Sequence, residues 1–503
     1  MTAPAAGAWK TPGTLALIAV GVLGIFMYLV PAGSYPVGFD VFWNLHVART
    51  WAETGFPAAL PEAGFTQLAR AYADRQLGFH ALLALSGGAA LDTSLVPPFV
   101  WGLALAQVFV VFGCMRWLAP RASVLWLLLL PALSSTWIFR LTACRDMSLA
   151  VLVLLALVSA LARPGAPSGR RCVVVAALAC VFGYIHGAFV LPLALALATA
   201  LGRRIAGESF GWRSVWAVAV GMVPALVLRP DFPHNIELLL TLNVRMPLGA
   251  LSGELPIQPV EFAARSLGHV LGTSAWLLAL AVVLMWQLVK DPPARSITLV
   301  AVLLCVGSLF GSRLIELAVP FAVLAIGVSR PRIPAPVGVA VVVALACFGW
   351  VVLRQVPLAE RSVAASRYSD LEAVGSWLDE NGKKGDVVFV TDWAVSSPLA
   401  WWTRDRDLVF TGMTDPSLMW VEDRRRFDAW WAIKTARDPD PVATLRQLFG
   451  ARFVVVEGSD HAPQGRTGET STYLWKALGV AHRAGLSIAS ADIGRFKCYR
   501  LGP

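Results

Sequence analysis

The feature that most constrains this chain is a succession of apolar runs, each near the length that crosses a bilayer. A membrane helix needs about 20 mostly apolar residues. The runs 13–31, 97–118, 122–139, 146–163, 172–187, 188–202, 214–229, 266–289, 295–311, 313–329 and 335–354 approach that length, which predicts about 11 spans. Of the 503 residues, 57% are hydrophobic and 15% charged, whereas a soluble domain carries about a quarter charged. Lipid therefore solvates most of the chain. Thr14–Val30 is longer than a signal-peptide core and has no small-residue cleavage site ahead of Pro31, so it reads as a retained span.

Charge sets the sidedness. With Lys10 and the N-terminus in the cytoplasm, the cytoplasmic loops are Arg116–Arg121, Arg163–Arg171, Arg203–Arg213, Lys290–Arg295 and Arg330–Arg332. Each is basic, and their only acids are Glu208 and Asp291. The opposite loops hold Asp40, Glu53, Glu62, Asp74, Asp146, Asp231, Glu237, Glu254 and Glu261. This is the positive-inside pattern, and an odd span count sends the C-terminus outside. The segment 76–91 is apolar but short and holds His80. Counting it as a span would break the pattern, so it is expected to be a re-entrant or interfacial helix of a first external loop, 32–96. The excess of 42 Lys and Arg over 32 Asp and Glu belongs to these short loops, so no nucleic-acid partner is expected. The seven cysteines lie mostly in apolar runs and form no CxxC, which argues against a zinc site or a disulfide framework.

After Arg354 the composition turns water-soluble. Residues 1–358 read as a polytopic membrane domain and 359–503 as an extracytoplasmic α/β domain. A helix is expected over 369–382, strands at 386–390, 407–412 and 451–458, and helices over Asp423–Thr435 and Asp440–Phe449. Strand alternating with helix predicts a mainly parallel sheet.

Ionisable groups at the ends of spans are candidates for function, because placing them in lipid is costly. Asp40 opens DVFWNLHVARTWAETG, whose residues at 41, 42, 45, 48 and 51 suit a helix lying along an interface. Asp40 also suits that helix's N-cap. His46 reads as a satisfied interfacial histidine or as part of a site. In the next external loop, Arg140 and Arg145 either snorkel to head groups or clamp a phosphate. Asp146 either caps the following helix or pairs with those arginines. His186 falls at an external turn and Glu237 in the 230–265 loop. Arg313 and Glu316 stand at i, i+3 on one helix face, as a salt bridge or a phosphate contact. No GxxxxGK[ST], HExxH or well-placed GxSxG competes.

The stretch GFDVFWNLHVARTWAETGFP resembles the first-loop acidic motif of the GT-C superfamily of membrane glycosyltransferases, in its oligosaccharyltransferase catalytic-subunit branch. FRLTACRDMS is similar to that branch's second acidic motif, and SRLIELAVPF to its arginine-bearing late span. The run VFVTDWAVSSPLAWW falls where the branch recognises its acceptor. The branch's Trp-Trp-Asp-Tyr-Gly motif is absent; Thr391-Asp392-Trp393-Ala394 stands there, so the resemblance does not carry recognition of a sequon asparagine. It implies a GT-C-like, mainly α polytopic fold at a bacterial inner (plasma) membrane. It also implies transfer of a sugar from a polyprenyl-phosphate donor to an extracytoplasmic acceptor. Asp40 would be the base, Arg140, Arg145 and Arg313 the donor-phosphate ligands, and Asp392 and Trp393 the acceptor side. His46, Asp146, His186, Glu237 and Glu316 are further site candidates. This reading names no certain cofactor and leaves a divalent metal, Mg or Mn, open; one would fall to Asp40 and Asp146. The rival classes are a lipid-linked glycan transporter and a non-catalytic scaffold or sensor. Convergence of Asp40, Asp146 and Arg313 on one cleft favours the enzyme.

Overall fold

Helix boundaries in this chain follow its glycines, prolines and capping serines. The computed structural model describes residues 38–87, 92–165, 167–256, 267–290, 294–329, 346, 349–358, 361, 370–403, 406–413, 415–457, 468–485 and 487–502. Helix α1 (Phe39–Thr54) runs between Gly38 and Gly55, whose φ angles of 83° and 81° lie in the left-handed region that favours glycine. There follow α2 (Leu77–Gly87), α3 (Val96–Leu118), α4 (Ser135–Thr142), α5 (Asp146–Ala162), α6 (Gly169–Ile185), α7 (Val190–Ile205), α8 (Trp212–Val227), α9 (His234–Leu240), α10 (Leu267–Lys290), α11 (Arg295–Phe310) and α12 (Ile315–Ser329). Prolines 97 and 98 sit in the first turn of α3, where no amide donor is needed.

Helix pairs α6/α8, α11/α12, α7/α11 and α3/α5 pack around a core that includes Val111, Leu154, Val158, Phe182, Val300 and Phe321. At the α6/α8 crossing Gly221 lies against the Ala176 backbone, leaving no room for a β-carbon, the close approach that small residues permit. Among the described residues, one continuous helical run, Thr93–Leu118, is long and apolar enough to cross a membrane, and α4 with α5 passes the same test only as a pair bent by 114°. The helices α2, α8 and α12 are apolar but shorter.

The run 122–139 is not one helix: it divides into the turn Val124–Leu128, the short helix Leu129–Leu133 and the start of α4. Pro131 cannot donate to a helix ladder, and Ser134 goes extended (φ −161°), its Oγ accepting the Trp137 N–H at 3.3 Å. Helix α10 is likewise interrupted at Ser274, and the two breaks meet in a Ser134–Ser274 hydroxyl contact of 3.0 Å. Helix α1 does not lay its apolar residues against lipid: Val41 through Ala48 are all buried, so every face of its middle is covered by protein. The expected span 13–31 and most of 335–354 lie outside the described residues.

The C-terminal part holds α13 (Asp370–Asn381), β1 (Val387–Val390), α14 (Ser396–Trp402), β2 (Val409–Phe410), α15 (Pro416–Glu422), α16 (Arg424–Lys434), α17 (Pro441–Gln447), β3 (Ala451–Glu457), α18 (Gly468–Arg483), β4 (Ser487–Ile493) and β5 (Phe496–Leu501). The sheet order is β2-β1-β3-β5-β4. Strand β1 runs parallel to β2 and β3, while β5 is antiparallel to β3 and β4. The sheet is therefore mixed rather than mainly parallel; the tight turn at Gly494 (φ 55°) makes the last two strands a hairpin.

Alternation fixes the two sheet faces. Val388, Val390, Phe453 and Val455 pack with Trp43 and Val47 of α1 and with Leu60, Leu68 and Tyr72 of the loop that follows. Phe389, Val454 and Val456 pack with Phe427 and Trp430 of α16 on the other face. The edge strand β2 donates its Phe410 N–H to the Glu62 carbonyl at 2.9 Å, so the loop covers that edge. Helix α1 is thus held between the helical part and the sheet.

Candidate active site

Helices α4 and α5 meet at a corner, and the corner assembles the site. Residues 143–145 make the break, with Cys144 in a left-handed conformation (φ 45°). Arg140 stands in the last turn of α4, Arg145 precedes α5, and Asp146 is in the first turn of α5. Arg140 and Asp146 suit the ends they occupy, a cation near a helix C-terminus and an anion near an N-terminus, whereas Arg145 is a cation at an N-cap and is held there by carboxylates.

Asp40 comes to this corner from α1. Its expected capping role falls to Gly38, which makes no side-chain cap bond. The Asp40 carboxylate instead lies 3.0 Å from Arg145 Nε. Glu316, in the first turn of α12, approaches the same corner, with Oε1 3.7 Å from Arg140 Nη1 and 3.9 Å from Arg145 Nη1. Arg145 is therefore shared between the carboxylates of Asp40 and Glu316. Asp146 turns to the other side and pairs with Nδ1 of His186, the residue that ends α6. Arg145, Arg140, Glu316 and Asp146 are nearly enclosed; Asp40 keeps about a fifth of its side chain accessible, at 19%.

Among solved structures the chain matches the apo oligosaccharyltransferase of Archaeoglobus fulgidus with TM-score 0.60 and 11% identity, over 89% of this chain and 70% of that one. It matches ArnT from Cupriavidus metallidurans bound to undecaprenyl phosphate with TM-score 0.61 and 15% identity, over 98% of this chain and 100% of that one. The mycobacterial arabinofuranosyltransferase AftD gives TM-score 0.50 and 16% identity, over 98% of this chain and 40% of that one. The chain has the GT-C fold. No family model and no curated protein matches it in sequence.

Of the other residues singled out in the sequence, Arg313 stays next to the cluster and the rest are dispersed. Arg313 is in the turn Ser312–Leu314 leading into α12, next to Glu316 in the chain. His46 binds Glu62 Oε1 at 2.8 Å, tying α1 to the loop over β2. Glu237 is exposed and 4.0 Å from Arg245, a surface pair. Asp392 caps the turn Trp393–Val395, its Oδ1 accepting the Ala394 N–H at 3.0 Å. The Trp393 ring meets Phe39, the residue before Asp40, edge to face at 4.5 Å. So the C-terminal part touches the start of α1 one residue from the acid. Beside Asp392, burial lowers the pKa of Lys434, partly offset by the Asp392 carboxylate.

Arg75 was not singled out from the sequence. It is partly buried at the end of the loop before α2 and lies within electrostatic reach of Asp146. Among the described residues it has no ion-pair partner. Its only signal in the sequence was an arginine following a buried acid, in the pair Asp74-Arg75.

A divalent metal held by Asp40 and Asp146 would have to displace Arg145 from one and His186 from the other. Among the described residues no group of three or more His, Cys, Asp or Glu side chains is placed to hold a metal. The residues do not fit a metal as they stand.

Proposed function

We propose that the chain is a membrane glycosyltransferase that moves a sugar from a polyprenyl-phosphate donor to an extracytoplasmic acceptor. The observation that carries this reading is the Asp40–Arg145–Glu316–Arg140 cluster at the α4/α5 corner of a GT-C fold. An acceptor hydroxyl oxygen attacks the anomeric carbon, and the bond from that carbon to the phosphate oxygen breaks. The bonding pair leaves with the polyprenyl phosphate, and the acceptor proton passes to the Asp40 carboxylate. Such a base contributes typically about 10²–10⁴-fold.

Negative charge grows on the leaving phosphate, and preorganised guanidinium groups stabilise it. Arg145, Arg140 and Arg75 serve this role, with Arg313 at the rim. Their planar forks suit phosphate oxygens. Asp146 and His186 hold the corner opposite Arg75. Phe39 and Trp393 form one wall of the acceptor side, with Asp392 behind them. The undecaprenyl phosphate bound by ArnT supports a donor of this lipid class. In this reading the chain has about 11 spans, sits in a bacterial inner membrane, and carries residues 359–503 on the outer side with the site.

The test is transfer by purified full-length protein in liposomes supplied with an undecaprenyl-phosphate-linked sugar. Asp40→Asn is expected to lose at least about 100-fold in turnover while folding normally. Unchanged transfer by the folded variant would remove Asp40 as the base.

A further inference from the structure

Behind Asp40 lies a run of buried polar side chains that the transfer chemistry does not use. Asn44, one turn after Asp40 on α1, donates from Nδ2 to the Cys144 carbonyl at 3.1 Å. Its Oδ1 meets His80 Nε2 at 3.0 Å, and His80 Nδ1 meets Asp74 Oδ2 at 2.7 Å. Asp74 Oδ1 accepts the Gln76 N–H at 2.7 Å, and the Asp74 N–H donates to Asp231 Oδ2 at 2.8 Å. Arg229 then binds Asp231 Oδ1 through Nε at 2.9 Å and also reaches the Asp74 carbonyl. Asn44, His80, Asp74 and Asp231 are each 2% exposed or less. Buried polar groups of this kind are tolerated only when satisfied.

Hydrogen-bond direction fixes the chemistry of the chain. The amide of Asn44 cannot be turned round, because its oxygen would then face the Cys144 carbonyl oxygen. Its Oδ1 therefore points at His80, and Nε2 must carry a proton. Burial favours a neutral Asp74, but His80, the Gln76 N–H and Arg229 outweigh it and hold the carboxyl below its ordinary range. The Asp74 carboxylate and the Asn44 amide thus hold the two ring nitrogens of His80 from opposite sides, and the buried set joins His80 and Arg229 to Asp74 and Asp231.

The point of attachment gives this chain its consequence. Cys144 is the left-handed residue of the α4/α5 corner, and its carbonyl belongs to the peptide that leads into Arg145. One helix thus grips the corner twice: Asp40 holds the Arg145 side chain and Asn44 holds the peptide before it.

We propose that Asn44 and His80 are positioning residues that aim Arg145 at the donor phosphate by fixing the Cys144 carbonyl. This rests on the donor reading above, and two readouts keep the two claims separable. Full-length protein in lipid nanodiscs is measured for affinity to undecaprenyl phosphate, with undecaprenol as the uncharged control. In parallel, alkylation of the buried Cys144 thiol is followed by peptide mass spectrometry. Asn44→Asp puts an acceptor against the carbonyl; Asn44→Ala removes both the donor to that carbonyl and the acceptor facing His80, and is measured alongside in case the charged variant does not fold.

Both variants are expected to weaken undecaprenyl phosphate binding about tenfold and to speed Cys144 alkylation by at least as much, the size of one lost buried hydrogen bond. In an Arg145→Ala background the same substitutions should change lipid affinity less than about twofold, because the residue they act through is gone. His80→Gln should give a smaller effect of the same sign in both readouts. A general loss of structure would instead weaken binding equally with and without Arg145, and that result overturns the proposal. So do unchanged affinity and an unreactive Cys144 in both Asn44 variants. If wild type fails to distinguish undecaprenyl phosphate from undecaprenol, the donor reading falls, and Cys144 reactivity alone decides whether Asn44 holds the corner.

Discussion

Neutralising Glu316 separates stability from anion binding, because the two should move in opposite directions. Its Oε1 lies 3.7 Å from Arg140 Nη1 and 3.9 Å from Arg145 Nη1, with only 6% of its side chain exposed. At about 4 Å, unit charges interact by about 4 kcal/mol at an effective dielectric of about 20. Glu316→Gln keeps the shape but leaves two enclosed guanidinium groups short of one counter-charge. Removing one partner of a buried pair costs about 3–5 kcal/mol, so the thermal midpoint should fall. A phosphate at the corner would restore the missing charge. With part of the Coulomb energy lost to solvent and rearrangement, the gain in anion affinity should be about 1.4–3 kcal/mol, about 10- to 150-fold. The assay is equilibrium binding of undecaprenyl phosphate to the full chain in nanodiscs, paired with a thermal melt. A folded Glu316→Gln protein that binds the lipid no better than wild type would refute the placement of the phosphate at Arg140 and Arg145.

Arg75→Ala should weaken undecaprenyl phosphate binding by about 1.5–3 kcal/mol, the worth of a hydrogen bond to a charged group, while the melting temperature falls less than in Glu316→Gln, because only a longer-range attraction to Asp146 is lost; equal affinity in the binding assay would remove it from the site. Trp393→Ala should cost about 0.5–1.5 kcal/mol through the lost contact with Phe39 and should slow transfer while sparing donor binding, as read from separate kinetic and binding measurements. Asp74 has a depressed carboxyl pKa, so its contribution to stability is full above the unfolded value near about 3.9 and is lost as pH falls through the lower folded value. The wild-type melting temperature should therefore drop as pH falls below about 4 more steeply than that of Asp74→Asn, and parallel curves would contradict the buried pairing.

Much of the helical part was legible because lipid makes its demand on every residue of a span. The ends of α3, α5 and α8 lie within about two residues of the apolar runs, the usual uncertainty of helix ends. What the runs hid was breakage: 122–139 is as apolar as a span, but Pro131 and Ser134 end its helices early. The burial of α1 was hidden for another reason. Asn44 and His46 look like a wet face in the sequence, whereas each is buried with a partner far along the chain, Cys144 and Glu62. Of the site, the acids and arginines at span ends were legible as costly charges. Their pairing across helices was not: the i, i+3 spacing offers Arg313 beside Glu316, but nothing local shows that Glu316 also reaches Arg140 and Arg145. Arg75 carries no local pattern at all and emerges only from the approach of its loop to α5. The last two strands were missed because their hairpin depends on one glycine turn between half-polar segments.

The most direct measurement is a density map of the full chain in lipid nanodiscs with undecaprenyl phosphate. The prediction is a phosphate within about 3 Å of the Arg145 guanidinium, flanked by Arg75 or Arg140, with Asp40 beside it and facing an open approach for a hydroxyl. A phosphate seated at the arginine-rich loops on the opposite side, with Arg145 still closed on Asp40 and Glu316, would contradict the assignment.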